Sequence, residues 1–236
     1  MENNRKKYPI INRSNLRDIV IVICLFSSVF YNLDNVRLVL SFFLLTFGCF
    51  FHYVTKGVLV RNIVLCKEGT YNVVRHPYYM ANYLIDSSFC LLSGNIYLFL
   101  AYPFLFYWSY GPTIRQEESV LAGLYGEDFL KYSLDVPQLF PDAYSIRNIK
   151  EAIKGFSRQR ITRNEISRFM RFWATGFFIV FIHNIKREFL TELNNMLFIR
   201  DHYRETILLV AVIVLFSTSF FIQSKKESLP TQPETK

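Results

Sequence analysis

Charged side chains are scarce in this chain: Asp, Glu, Lys and Arg make up 19% of its 236 residues, which excludes a disordered, charge-solvated polymer. Glycine (9) and proline (8) are few and follow no period, so collagen-like and linker-like chains are excluded as well. Cysteine is equally sparse. Cys24, Cys49, Cys66 and Cys90 form no CxxC pair and lie beside no His at metal-ligand spacing, so neither a disulfide framework nor a zinc site is expected. Three of the four sit inside apolar stretches, where a cysteine acts as a small buried hydrophobe. What the chain does have is apolar and aromatic bulk, 51% and 17% of residues, with a mean hydropathy of +0.18. These residues are bunched into runs, as in a membrane protein. The net charge of +8 then points to an anionic membrane surface as partner and away from nucleic acid.

Six apolar runs are candidate crossings. Between Asp18 and Asp34 lie 15 uncharged residues, and Leu38 to Thr55 supplies 18 more. The region after His76 is broken only by Asp86. It divides at Ser93-Gly94-Asn95, a turn signal, which predicts one helix over about Pro77–Leu92 and another over about Ile96–Tyr110. Phe172 to Ile185 is charge-free for 14 residues, so its helix must begin earlier, with Arg168 and Arg171 near an interface. Thr206 to Ser224 gives a clean run of 19. A basic cluster ahead of the first run resembles a signal peptide, but no small-x-small cleavage site follows Tyr31, so an uncleaved helix is expected. Eight basic residues against two acidic ones in Arg147–Arg171, and five in the first 18 residues, put both termini and the Tyr110–Arg171 region on the cytoplasmic side. The expected fold is therefore all-α: a multi-pass integral membrane protein with about six transmembrane helices, one pair forming a hairpin. Its expected segments are N-terminal helices (1–56), a core around the hairpin (57–141), a basic linker (142–171) and C-terminal helices with a tail (172–236).

Two polar clusters flank the hairpin. In the first, Gly69 permits a tight turn and Pro77 suits the first position of a helix, which sets Arg75 and His76 at the helix entrance with Tyr78 and Tyr79 just inside. Arg and Tyr there also fit plain headgroup anchors. The second, Arg115-Gln116-Glu117-Glu118, opens an amphipathic helix whose Leu121, Leu124 and Tyr125 are expected on one face. Gly126 ends or bends it, and Phe129, Tyr132 and Val136 continue the apolar side to Pro137. A carboxylate pair beside an anionic leaflet needs a cation to meet it, whether a salt-bridge partner or a ligand.

The ordered series Gly69, Tyr71, Arg75, His76, Pro77, Tyr79, then Glu117, Glu118, Leu121, Gly126, Phe129, Tyr132, Val136, Pro137 resembles the membrane methyltransferases, a family that includes isoprenylcysteine carboxyl methyltransferases and phospholipid N-methyltransferases. The resemblance covers roughly residues 59–141. It implies an S-adenosylmethionine site at the cytosolic helix ends, lined by Tyr71, His76, Pro77, Tyr79 and Glu117 with Glu118 adjacent, and closed by the amphipathic helix. Neighbouring helical residues point about 100° apart, so one glutamate faces the cofactor squarely, and Glu117 is favoured. Arg115 is the nearest match to a substrate-binding arginine. The implied acceptor is a lipophilic or prenylated molecule or a membrane lipid. A carboxylate acceptor needs no base and Arg115 would hold it; an ammonium must lose a proton, to His76 or Glu118. The carboxylate is favoured.

Ala81 and Gln138 depart from the family pattern, which usually has Gly and Arg there, and about 95 residues follow the motif where relatives end. Sterol-type reductases share the Arg-His-Pro-x-Tyr turn, but their downstream Arg-Asp-Glu with a following Cys is not met here. A non-catalytic protein of the same fold is the other alternative. His52 is expected to be a packing or interfacial residue, and His183 and His202 lie outside the expected site.

Overall fold

The computed structural model describes residues 13–59, 65–191 and 203–227. These residues are helical throughout, with no strand among them: α1 (Arg13–Phe30), α2 (Asn35–Val58), α3 (Pro77–Leu92), α4 (Ile96–Tyr125), α5 (Glu127–Asp135), a short α6 (Ala143–Arg147), α7 (Arg163–Thr191) and α8 (Tyr203–Glu227). The contacts divide the chain into two compact units, Met1–Ser157 and Arg158–Lys236. The expected boundary at 56/57 thus falls inside the first unit, because α2 packs along α3. The expected linker 142–171 is shared between the two.

Helix boundaries follow local chemistry. Asp34 caps α2 by accepting from the Arg37 N–H at 2.8 Å, and Asn95 caps α4 by accepting from Leu98 at 3.2 Å, each satisfying a donor that the first turn leaves unpaired. Pro77 occupies the first turn of α3, where it has no N–H to waste. The expected hairpin, Pro77–Leu92 turning at Ser93–Asn95, is found as read.

Within the first unit the helices run alternately. Near the α3–α4 turn, Asn95 Nδ2 donates to Ser27 Oγ (3.2 Å) and Arg37 Nη1 donates to the Gly94 carbonyl (2.7 Å). This gathers the end of α1, the start of α2 and the turn at one pole. At the other pole the end of α2 meets the 150–157 segment, with the Ser157 N–H bonded to the Gly57 carbonyl at 2.9 Å. Gly69 sits there with φ +62°, and a Cβ on it would lie 2.7 Å from the Lys154 carbonyl. A side chain at 69 would be strained and obstructed.

The interior combines an apolar core (Leu45, Ile85, Phe89, Leu92) with buried polar groups, while many large apolar side chains face outward. Ser28, Ser41, Ser88 and Ser93 are buried, each hydroxyl bonded to a carbonyl of its own helix, while Phe26, Phe43, Phe104 and Trp108 are exposed. Asp86, 1% exposed on α3, is held by Arg17 of α1 (Nε–Oδ1 2.7 Å, Nη2–Oδ2 3.3 Å) and by the Tyr102 hydroxyl of α4 (2.8 Å). The apparent break in the apolar run is a three-helix tie. His52 is buried and packs edge-on against Tyr78, ring centroids 4.9 Å apart.

Two expectations change. The fourth span and the amphipathic helix are one element: α4 runs unbroken for 30 residues through Pro103 and Pro112, about 45 Å at 1.5 Å per residue. Leu124 is 70% exposed, and Ala122 takes its place beside Leu121 and Tyr125 against Phe129, Tyr132 and Val136. The helix turns that face toward α5 by a bend at Gly126 (φ +51°).

In the second unit α7 and α8 form a pair joined by Ser167 and Ser219 (Oγ···Oγ 2.8 Å), with Arg171 Nη1 donating to both hydroxyls. Each of the six expected apolar runs falls largely within a helix, and the helix of the first run ends early, at Phe30. Among the described residues, α2 and the Tyr203–Ser224 part of α8 are long and apolar enough to cross a membrane.

Candidate functional site

The residues of the two sequence clusters meet at the pole of the first unit opposite the hairpin turn. Three local features bring them together. Gly69–Asn72 forms a single tight turn, and the Tyr132 hydroxyl of α5 donates to the Tyr71 carbonyl at 2.6 Å. Pro137 ends the chain's helical course after α5, and the extended residues there pair with the approach to α3: the Arg75 N–H bonds to the Pro137 carbonyl (2.9 Å) and the His76 N–H to the Gln138 carbonyl (3.0 Å). Finally α4 carries Glu117 and Glu118 past both.

Glu118, with 19% of its side chain exposed, is saturated. Arg75 approaches Oε1 through Nε and Nη2, each at 3.0 Å, His76 Nε2 lies 3.2 Å from the same oxygen, and Gln138 Nε2 donates to Oε2 at 2.8 Å. Arg75 also donates to the Ser133 carbonyl and, at 3.2 Å, to that of Val136. One guanidinium therefore ties α3, α4 and α5 together, with the planar fork that suits a carboxylate.

Glu117 differs. Its side chain is 46% exposed, the Tyr79 hydroxyl donates to it, and His76 Nδ1 stands 3.7 Å from Oε2. Tyr79 is buried, its ring stacked on His76 (5.7 Å) and edge-on to Tyr110 (5.5 Å). Tyr71 is close enough to feel the Glu117 charge, and burial raises its phenol well above the ordinary range. Burial also lowers His76 below 6.5, outweighing the opposite pull of the Glu118 hydrogen bond. His76 is thus neutral at pH 7. In that form Nε2–H donates to Glu118 and Nδ1 keeps its lone pair, a tautomer assigned from the hydrogen-bond network.

Tyr71, His76, Pro77, Tyr79, Glu117 and Glu118 are therefore all in one place, with Pro77 shaping the helix entrance. Arg115 is not with them. It lies two residues before Glu117, about 160° away around the helix. There it is exposed and lines a groove of about 550 Å³ with Pro103, Phe104, Tyr107, Trp108 and Pro112. Arg115 is thus set apart from Glu117 but stands one helical turn from Glu118. His183 lies on α7 in the second unit, and His202 falls outside the described residues.

Sequence reasoning gave no site role to Arg75 or Gln138. The signal was present for both: paired glutamates need a cation, and Gln138 stood out as a departure immediately after Pro137. The cluster offers a half-exposed carboxylate, a neutral imidazole oriented by a second carboxylate, and phenol rings. Such a set can receive a cation and accept a proton. No known family, curated protein or solved structure matches the chain.

Proposed function

We propose that the chain is a multi-pass integral membrane methyltransferase that uses S-adenosylmethionine to methylate a lipophilic acceptor. The observation that carries this is the convergence of His76, Tyr79 and Glu117, from clusters 38 residues apart or more, around one partly open carboxylate. The membrane part rests on α2 and α8 and on the many large apolar side chains that the first unit exposes, Phe26, Phe43 and Phe104 among them. Such a surface is unfavourable in water and suited to hydrocarbon. Both termini are read as cytoplasmic from the loop charges.

The donor set fits the cofactor. The Glu117 side chain is 46% exposed, the Tyr79 hydroxyl donates to it and the Tyr71 phenol is near enough to feel its charge, a setting that suits a cation. When bound, S-adenosylmethionine supplies an electrophilic methyl on a positively charged sulfur. Glu117 and Tyr79 would hold that charge, and Tyr71 would close the site from the 69–72 turn. Glu118 orients His76, and Arg75 and Gln138 engage its two oxygens. Exclusion of water and fixed orientation supply the rate advantage in a displacement of this kind.

An isoprenylcysteine-like carboxylate is the acceptor favoured by the sequence resemblance. A second reading, N-methylation of a phospholipid amine, is favoured by two observations. Arg115 is turned away from the site, and His76 presents a basic Nδ1 beside Glu117, where an ammonium could shed its proton. Incubating the detergent-solubilised protein with radiolabelled S-adenosylmethionine and either prenylcysteine analogues or fractionated phospholipids decides between them by which product takes the label. Binding of NADPH in place of S-adenosylhomocysteine would replace the whole reading with a reductase, and binding of neither with a non-catalytic protein.

A further inference from the structure

Outside the carboxylate cluster, the most distinctive surface is the groove along the outer face of α4. Its walls are Phe104, Tyr107 and Trp108, all more than 60% exposed, and its far end is Arg115. Arg115 makes no hydrogen bond or ion pair among the described residues. Pro103 and Pro112 lie in the groove and have no N–H, so the carbonyls of Phe99 and Trp108 lose their partners within the helix. From Ile96 to Arg115 the helix rises about 29 Å, close to the thickness of a bilayer's hydrocarbon core. If α4 begins at one interface, Arg115 stands at the other, with Tyr107 and Trp108 just below it.

We propose that this groove holds one membrane phospholipid, its phosphate on the Arg115 guanidinium and its chains along Phe104, Tyr107 and Trp108. The cation and the phosphate are complementary in charge and geometry. The Trp108 carbonyl, freed by Pro112, accepts a hydroxyl or ammonium hydrogen of the same headgroup. The aromatic trough gives the chains a fixed bed. This lipid is not the methyl acceptor, because Arg115 and Glu117 face opposite sides of α4. The inference rests on the membrane part of the reading above and not on the methyltransferase part.

The test is native mass spectrometry of the full chain released from detergent, titrated with phosphatidylglycerol, with diacylglycerol and with inorganic phosphate. One phosphatidylglycerol is expected to bind, while diacylglycerol and inorganic phosphate leave no stable adduct. Arg115→Gln should lower occupancy about tenfold, the effect of losing one charge-assisted contact. Arg115→Lys should keep most of it, and Lys131→Gln, on exposed α5, should change nothing. Equal retention by the wild type and Arg115→Gln, or diacylglycerol binding as well as phosphatidylglycerol, overturns the proposal. An unchanged helical circular dichroism spectrum certifies each variant as folded, and Trp108→Leu provides an independent weakening should Arg115→Gln misfold. A chain that stays soluble without detergent would overturn the membrane reading itself, and this proposal with it.

Discussion

The first unit contains two arginine–carboxylate ties that are alike in composition and opposite in openness. In the middle of the bundle, Arg17 and Tyr102 occupy both oxygens of Asp86, which is 1% exposed. At the pole, Arg75, His76 and Gln138 occupy Glu118 in the same way, but the preceding residue, Glu117, is 46% exposed with a tyrosine and a histidine beside it. The first tie is complete and joins helices. The second also joins helices, and beside it stands a second carboxylate, hydrogen-bonded to Tyr79 and half open to its surroundings.

The largest effect expected tests the closed tie. Asp86→Leu strands Arg17 in the bundle and should cost about 3–5 kcal/mol, read as a lowered midpoint of thermal unfolding in detergent. The double variant Arg17→Met/Asp86→Leu should recover much of that loss, since two apolar groups need no partner. A double variant as unstable as the single one would show that the tie holds nothing. At the open tie, Glu118→Gln should cost about 1–3 kcal/mol of stability, because Arg75 loses its charged partner.

Glu117→Gln should leave the unfolding midpoint almost unmoved. It should weaken S-adenosylhomocysteine binding at least about tenfold, equivalent to about 1.4 kcal/mol, by calorimetry. If the two glutamates exchange these phenotypes, the division of labour between them is wrong. The smallest effect concerns pH. His76 is lowered in the folded protein from the 6.5 of an unfolded chain, mainly by burial. Its contribution is therefore fully present above about pH 6.5 and falls away as the pH drops toward the lower folded value. Wild type should lose more stability than His76→Gln between pH 6.5 and 5.5, by less than about 1 kcal/mol. Parallel pH profiles would remove His76 from the buried neutral state.

The parts of this arrangement that were legible in the sequence are those set by one residue type acting locally. Pro77 and Ser93-Gly94-Asn95 mark the ends of α3 because proline and a cap act within one turn. The Glu-Glu pair stood out because paired acids directly after a long apolar run require an explanation. The parts that were not legible depend on pairing at a distance. Asp86 read as an interruption, since nothing near it in the chain names Arg17, 69 residues earlier, as its partner. Arg115 adjoins both glutamates in sequence, whereas helical rotation sets it about 160° from Glu117 and leaves it one turn from Glu118. Leu124 fitted the expected apolar face on spacing, but the face is centred one position away, on Glu118, Leu121, Ala122 and Tyr125.

The unbroken course of α4 has a mechanical consequence. The part of this helix flanked by α1 and α3 continues without a break, through Pro112, into the part that carries the two carboxylates, so their height and heading follow from residue count and from the course of the helix at that proline. One residue added between Gly111 and Arg115 would lift the acids about 1.5 Å and swing them about 100°, detaching Glu118 from Arg75 and turning Glu117 from Tyr79. The helix works as a graduated shaft, and its length is as much a part of the site as the acids it carries.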